Sequence, residues 1–213
     1  MTESMVSALK TPDDLITFFQ REFPDAISLI GREHLIYSYF HNPKSRLMSI
    51  KCTPYHYKNK ALIIGDAAHN QVPFYGQGLN AGFEDLTVLF SLFPSLSTEN
   101  LDLESIFSQY THIRTPDVHA ICDLALHNYW EMASGVVSPG YILRKWIEDL
   151  LYRYAPWTGI IPLYTMVSFG GMRYSEVRKK WRRQGRLLRW GSLLAVLGLF
   201  LASKYRGKRL LKR

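Results

Sequence analysis

The sequence predicts a helix-dominated α+β fold that ends in a membrane-anchor helix, and three observations lead there. Short β-rich runs are confined to the first third of the 213-residue chain. From Gly78 onward, apolar residues recur at three- and four-residue spacing, the period of a helix with one buried face. Near the C-terminus an uncharged apolar run lies between two clusters of bases.

The elements follow in order. Thr11-Pro12-Asp13-Asp14 is a helix start, with a capping hydroxyl, proline at the first position and acids in the first turn. Pro24 ends that helix, and Asp25 opens a short one up to Gly31. Residues 34–40 and 46–53 read as strands separated by the turn formers Asn42-Pro43, so a hairpin or two neighbouring strands is expected. Ala61-Leu-Ile-Ile-Gly65 is a continuous apolar run of the buried-strand type. Helices are expected over 79–93, 102–134, 139–153 and 160–184, with breaks at Pro94, Gly135 to Gly140 and Pro156 to Gly159. The expected organisation is a strand-bearing part over 1–93, a helical domain over 94–185 and an anchor over 186–213.

Charge separates body from tail. Residues 173–213 hold 14 of the 26 Lys and Arg with one acid, Glu176, whereas residues 1–172 hold 12 bases against 17 acids. An acidic body excludes reading the whole chain as a nucleic-acid binder and gives the tail its own partner. Cys52 and Cys122 are too few for a disulfide scaffold, and no CxxC pair exists for a zinc ribbon. Met1 to Lys10 lacks the apolar run of a secretory signal, so a reducing, cytosol-facing location is expected.

The stretch from Ala61 to Asp85 carries the chemistry. A strand there would deliver Asp66 to its carboxyl end, where a carboxylate can accept hydrogen bonds from a polyol. Ala67 and Ala68 keep the wall low, Pro73 stiffens the loop, and Gly76 and Gly78 permit tight turns. A helix starting near Leu79 would aim the N–H groups of Gly78, Leu79 and Asn80 outward with the positive dipole end behind them, which favours negative charge in front.

This stretch resembles the second flavin-binding motif of the aromatic-ring hydroxylase family of FAD monooxygenases. The resemblance implies that Asp66 holds the ribityl hydroxyls. It also implies that Pro73, Gly76, Gly78, Leu79 and Asn80 face the pyrimidine edge of the flavin ring. It extends through Thr17-Phe-Phe-Gln, Phe23-Pro-Asp-Ala, Pro116-Asp-Val-His-Ala-Ile-Cys-Asp-Leu, His127-Asn-Tyr-Trp-Glu-Met and Ile161-Pro-Leu-Tyr-Thr-Met-Val. These narrow it to the branch that hydroxylates L-kynurenine to 3-hydroxykynurenine, with FAD as cofactor and NADPH as co-substrate. The implied substrate-side residues are Asn128 and Tyr164 at the amino-acid end, with Phe74 and Tyr75 on the loop beside the ring. No GxGxxG occurs, nor do the family's N-terminal arginine and tyrosine for the substrate carboxylate, so the chain is expected to be the C-terminal half of such an enzyme. Two alternatives stand beside it: a non-catalytic membrane-anchored fragment or isoform, and a flavin hydroxylase of another aromatic acid.

Three further features lie outside that motif's ligand contacts. His119, Cys122, Asp123 and His127 share a helix face, but nothing supplies a second shell, so no metal is expected. His69 is expected to pack or cap near the flavin, not to act as an acid or base. Trp190 to Ser203 is 14 uncharged residues, about 21 Å as a helix at ~1.5 Å per residue. Counting Leu187 to Tyr205 gives 19 residues, about 28 Å, with Arg189 and Lys204 able to snorkel. This is the expected bilayer anchor; the apolar core between the basic clusters fits nucleic acid poorly. By resemblance its home is the mitochondrial outer membrane, with the body facing the cytosol.

Overall fold

The computed structural model describes residues 3–93 and 101–210, with side chains described as far as Leu193. Residues 94–100 and 211–213, and the side chains of the expected anchor from 194 onward, lie outside that description. The chain forms two compact units, Met1–Leu47 and Met48–Arg213, so the expected boundary at 93/94 falls inside the second unit.

The first unit is helical throughout its regular structure. It comprises α1 (Glu3–Ala8), α2 (Pro12–Glu22), α3 (Ala26–Ile30) and α4 (Arg32–His41). The start of α2 is a reciprocal cap. Thr11 Oγ1 accepts from the Asp14 N–H at 3.2 Å, and the Asp14 carboxylate accepts from the Thr11 N–H at 3.0 Å. Leu15, Ile16 and Phe18 of α2 pack with Leu9 and Leu35 in a small core of their own.

Residues 34–40 were expected to be a strand and form α4 instead, while 46–53 carry no regular element. The β-rich composition of His-Leu-Ile-Tyr-Ser-Tyr-Phe loses to context. Gly31 at φ +86° lets α3 turn directly into α4, and Leu35 finds its core only from a helix. The expected buried strand at 61–65 shrinks to Ala61–Leu62 (β2), paired antiparallel with His56–Tyr57 (β1). Ile63 and Ile64 are each 37% exposed rather than buried.

The second unit is built on α7 (Leu103–Ala133), a helix of 31 residues. It continues through Pro116, where the Thr115 hydroxyl donates to the Thr111 carbonyl at 2.6 Å. Val118, Ile121, Leu124 and Ala125 of α7 share one core with Tyr55, Ala68, Val72, Tyr75, Ala81, Leu163, Met166 and Val177. Around it lie α5 (Asp66–His69), α6 (Gly78–Ser91), α8 (Pro139–Tyr154), α9 (Leu163–Ser168) and α10 (Tyr174–Leu210). The single helix expected over 160–184 is therefore two, broken at Phe169 to Arg173 around Gly170-Gly171. No described helix is long and apolar enough to cross a membrane.

Candidate functional site

A single turn decides where Asp66 stands. Gly65, immediately before it, adopts φ +60° and ψ −142°, a conformation that a side chain would resist. Asp85 of α6 holds that turn from below. Its Oδ2 accepts the Gly65 N–H at 2.9 Å and His69 Nε2 at 2.6 Å, while its Oδ1 accepts Arg114 Nε at 2.9 Å. Arg114 is itself buried on α7, pairs with Glu84 at 3.0 Å and donates to the Ala81 carbonyl at 3.3 Å.

Acid and base stabilise each other's charged forms in this network. Burial alone would raise the Asp85 carboxyl pKa, but hydrogen bonds from His69 and Gly65 and the Arg114 charge outweigh it and hold the group below its ordinary range. Burial likewise works against the Arg114 charge, and Glu84 and Asp85 reverse it, so the guanidinium is held above its ordinary range. His69, expected to pack or cap, is buried here and braces the turn through Asp85.

Above the brace the loop is open. Asp66, Pro73, Gly76, Leu79 and Asn80 are exposed and Gly78 is half-buried. Pro73–Tyr75 forms a 3₁₀ turn closed by Gly76 at φ +65°, a left-handed position that glycine fills without strain. Helix α6 then begins at Gly78 with no side-chain cap from Gln77. Gln77 Oε1 instead accepts from Asn80 Nδ2 at 2.9 Å and from the Tyr174 hydroxyl at 3.2 Å. The first N–H groups of a helix have no partner within it, so those of Gly78, Leu79 and Asn80 remain for a ligand or solvent. Beside them, both amide atoms of Gln71 are buried without a partner among the described residues, and a Cβ on Gly78 would lie 3.6 Å from Gln71 Nε2. Uncapped N–H groups, an unpaired amide and an exposed carboxylate form a donor and acceptor set suited to a flavin: negative charge at one end, a polyol at the other.

The expected substrate-side residues come together from three elements. Asn128 Nδ2 of α7 donates to the Phe74 carbonyl at 2.8 Å, and the Phe74 ring lies 4.7 Å from that of Tyr129. Tyr75 is buried, which pushes its phenol pKa up, and it stacks on Tyr164 of α9 with centroids 6.1 Å apart and planes 14° from parallel. Tyr164 is 53% exposed and presents the open side of that stack. Asn128 therefore pins the loop as well as lying beside it.

The histidine–cysteine face of α7 does not converge. His119 Nε2 contacts the Cys52 carbonyl at 3.1 Å, Asp123 pairs with Lys51 and Arg178, and the His127 ring lies 4.6 Å from Trp181. No group of three or more such side chains among the described residues could hold a metal ion. Asp85, Arg114 and Gln71 are the residues that sequence reasoning passed over. A usable signal existed: Ala81 and Asp85 lie four apart on one helix face, and an acid on an apolar face calls for a buried base.

Residues 28–125 match a family model described as an FAD binding domain. The chain is 45% identical over 203 residues to the kynurenine 3-monooxygenase of Drosophila willistoni, covering 93% of this chain and 43% of that protein. It is 52% identical over 162 residues to the same-named protein of Anopheles gambiae, covering 76% and 32%. The Sus scrofa protein of that name is 40% identical over 198 residues, covering 91% and 41%. The chain thus spans less than half the length of the curated relatives it matches.

Proposed function

We propose that this chain, related over most of its length to kynurenine 3-monooxygenases, supplies the flavin-side loop and part of the substrate wall of an FAD-dependent enzyme that hydroxylates L-kynurenine to 3-hydroxykynurenine. NADPH is the co-substrate, and the reaction belongs to tryptophan degradation towards NAD. The observation that carries this reading is the open loop from Asp66 to Asn80 braced from beneath by buried Asp85. When bound, FAD reduced by NADPH supplies the activation of dioxygen for transfer of a hydroxyl group to the aromatic ring.

The chain's own residues bind and orient. Asp66 accepts hydrogen bonds from the ribityl hydroxyls. The N–H groups of Gly78, Leu79 and Asn80 face the pyrimidine edge, where the helix dipole stabilises negative charge. Pro73 and Gly76 set the loop between them. Phe74 and Tyr75 border the substrate ring, while Asn128 and Tyr164 take its amino-acid end. The Tyr75–Tyr164 stack offers an aromatic surface on that side.

Asn128 gives the test of this assignment. The chain is joined in place of the matching segment of the Anopheles gambiae relative, and kynurenine-dependent NADPH oxidation is followed. Asn128→Ala is expected to raise KM for kynurenine about tenfold, with a smaller effect on kcat, because it removes a contact made in ground and transition states alike. An unchanged KM would contradict the assignment.

The tail has its own role in the proposal: residues 187–205 anchor the protein in a bilayer, at the mitochondrial outer membrane with the body on the cytosolic side. Support comes from the sequence and from the continuity of α10 as one helix up to Leu210. Trp190 to Ala202 contains five Leu, one Val and one Phe, which at about −0.3 to −0.6 kcal/mol each gives only about 2–4 kcal/mol towards insertion. Such a segment relies on its flanking bases. Deleting residues 187–213 is expected to move the protein from the membrane pellet to the supernatant. Alkaline carbonate extraction of the intact chain is the check, and complete release would replace an inserted anchor with a peripheral helix.

A further inference from the structure

Away from the flavin-side loop, α8 and α10 enclose an open groove with two unlike ends. One end is a recess of about 470 Å³ lined by Arg144 of α8 and by Trp181, Arg182, Gly185, Arg186 and Arg189 of α10. Four arginines are among its lining residues, and no acid is. Arg182, Arg186 and Arg189 are exposed and recur on one helix face at four- and three-residue spacing. Arg144 is fixed by Glu148, whose Oε1 accepts its Nε at 2.8 Å. Its terminal nitrogens turn towards α10, and a Cβ built on Gly185 would lie 3.3 Å from Nη2.

The other end is apolar. A trough of about 530 Å³ continues past Arg144, Gly185 and Arg189, which line both recesses, and is walled by Leu143, Ile147 and Leu188. Gly140, Gly185 and Gly191 leave its floor without side chains. A cationic recess opening into an apolar trough is matched by an anionic headgroup with an acyl chain attached. Nucleic acid or free phosphate would leave the trough empty. The same helix runs on into the uncharged segment that starts at Trp190, so the groove sits where a lipid surface would be met.

We propose that this groove binds one anionic phospholipid, its phosphate held among Arg144, Arg182, Arg186 and Arg189 and an acyl chain laid along Leu143, Ile147 and Leu188. Arginine suits the phosphate end because its planar fork donates two parallel hydrogen bonds to one phosphate group. Basic recesses between helices at a membrane face hold lipid headgroups by the same chemistry. Gly185 decides whether the chain end can enter, since a side chain there would project between Arg144 and the trough.

The test uses the full chain in detergent solution with soluble short-chain lipids, so its outcome does not depend on whether residues 187–205 insert. Dihexanoyl phosphatidylglycerol is titrated against dihexanoyl phosphatidylcholine and against glycerol phosphate, an anionic phosphate ester without acyl chains. The expected result is binding of phosphatidylglycerol about tenfold or more tighter than either. Arg182→Gln with Arg186→Gln should bring the anionic and zwitterionic lipids level. Gly185→Leu keeps every charge and should bring phosphatidylglycerol down to the glycerol phosphate value. Equal binding of the two lipids by the unmodified chain would overturn the proposal, as would glycerol phosphate matching the lipid. So would full retention of preference in both variants, or displacement of the lipid by an RNA oligonucleotide of higher affinity.

Discussion

Asp85→Asn is expected to cost about 3–5 kcal/mol of stability, since removing one partner of a buried ion pair takes from the other its most deeply buried counter-charge. Arg114 would stay buried, with Glu84 and the more distant Asp117 as its remaining acids. The Gly65 N–H and His69 would also lose the carboxylate oxygen they share. The effect carries a pH signature. The folded pKa of Asp85 is depressed, so its contribution is complete above the unfolded value, about 3.9, and is lost as pH falls through the folded one. Urea unfolding at neutral pH should show the full gap between wild type and variant, and the gap should narrow as the solution is acidified below about pH 4. A gap under about 1 kcal/mol at neutral pH, the range of a surface substitution, would show that Asp85 is not the brace.

Asp66→Ala should behave in the opposite way. Its side chain is exposed, so stability should move by no more than about 0.5 kcal/mol. Flavin affinity should fall about ten- to a hundredfold, because a hydrogen bond to a charged group contributes roughly 1.5–3 kcal/mol. Both quantities are measured on the same chimera with the Anopheles gambiae relative, by denaturant unfolding and by flavin titration. A variant that loses stability yet keeps its flavin would reverse the roles assigned to Asp66 and Asp85. The two substitutions together separate the group that holds the cofactor from the group that holds the turn.

The sequence made some parts of this structure plain and hid others, each for a physical reason. The start of α2 was legible because Thr11, Pro12 and Asp14 each satisfy a local requirement of a helix end. Helix α7 was legible because its period survives Pro116. Residues 34–40 misled because β-branched and aromatic residues also make good helix faces when a small core awaits them, as Leu35 shows. Ile63 and Ile64 mislead because an apolar run need not be a buried one, and both are partly exposed. In the candidate site, Asp66, Gly76 and Gly78 could be read from loop chemistry, whereas Asp85 and Arg114 required knowledge of which helices meet. Their pairing spans 29 positions of sequence, and no local pattern records it.

On the proposed function, the loop from Asp66 to Asn80 is the flavin-facing wall of a kynurenine hydroxylase. Flavin content and kynurenine-stimulated NADPH oxidation of the same chimera test it most directly. The expected result is flavin near one per polypeptide, with NADPH oxidation that rises on adding kynurenine and yields 3-hydroxykynurenine. A folded chimera that binds no flavin, or one that holds flavin but makes no 3-hydroxykynurenine, would contradict it.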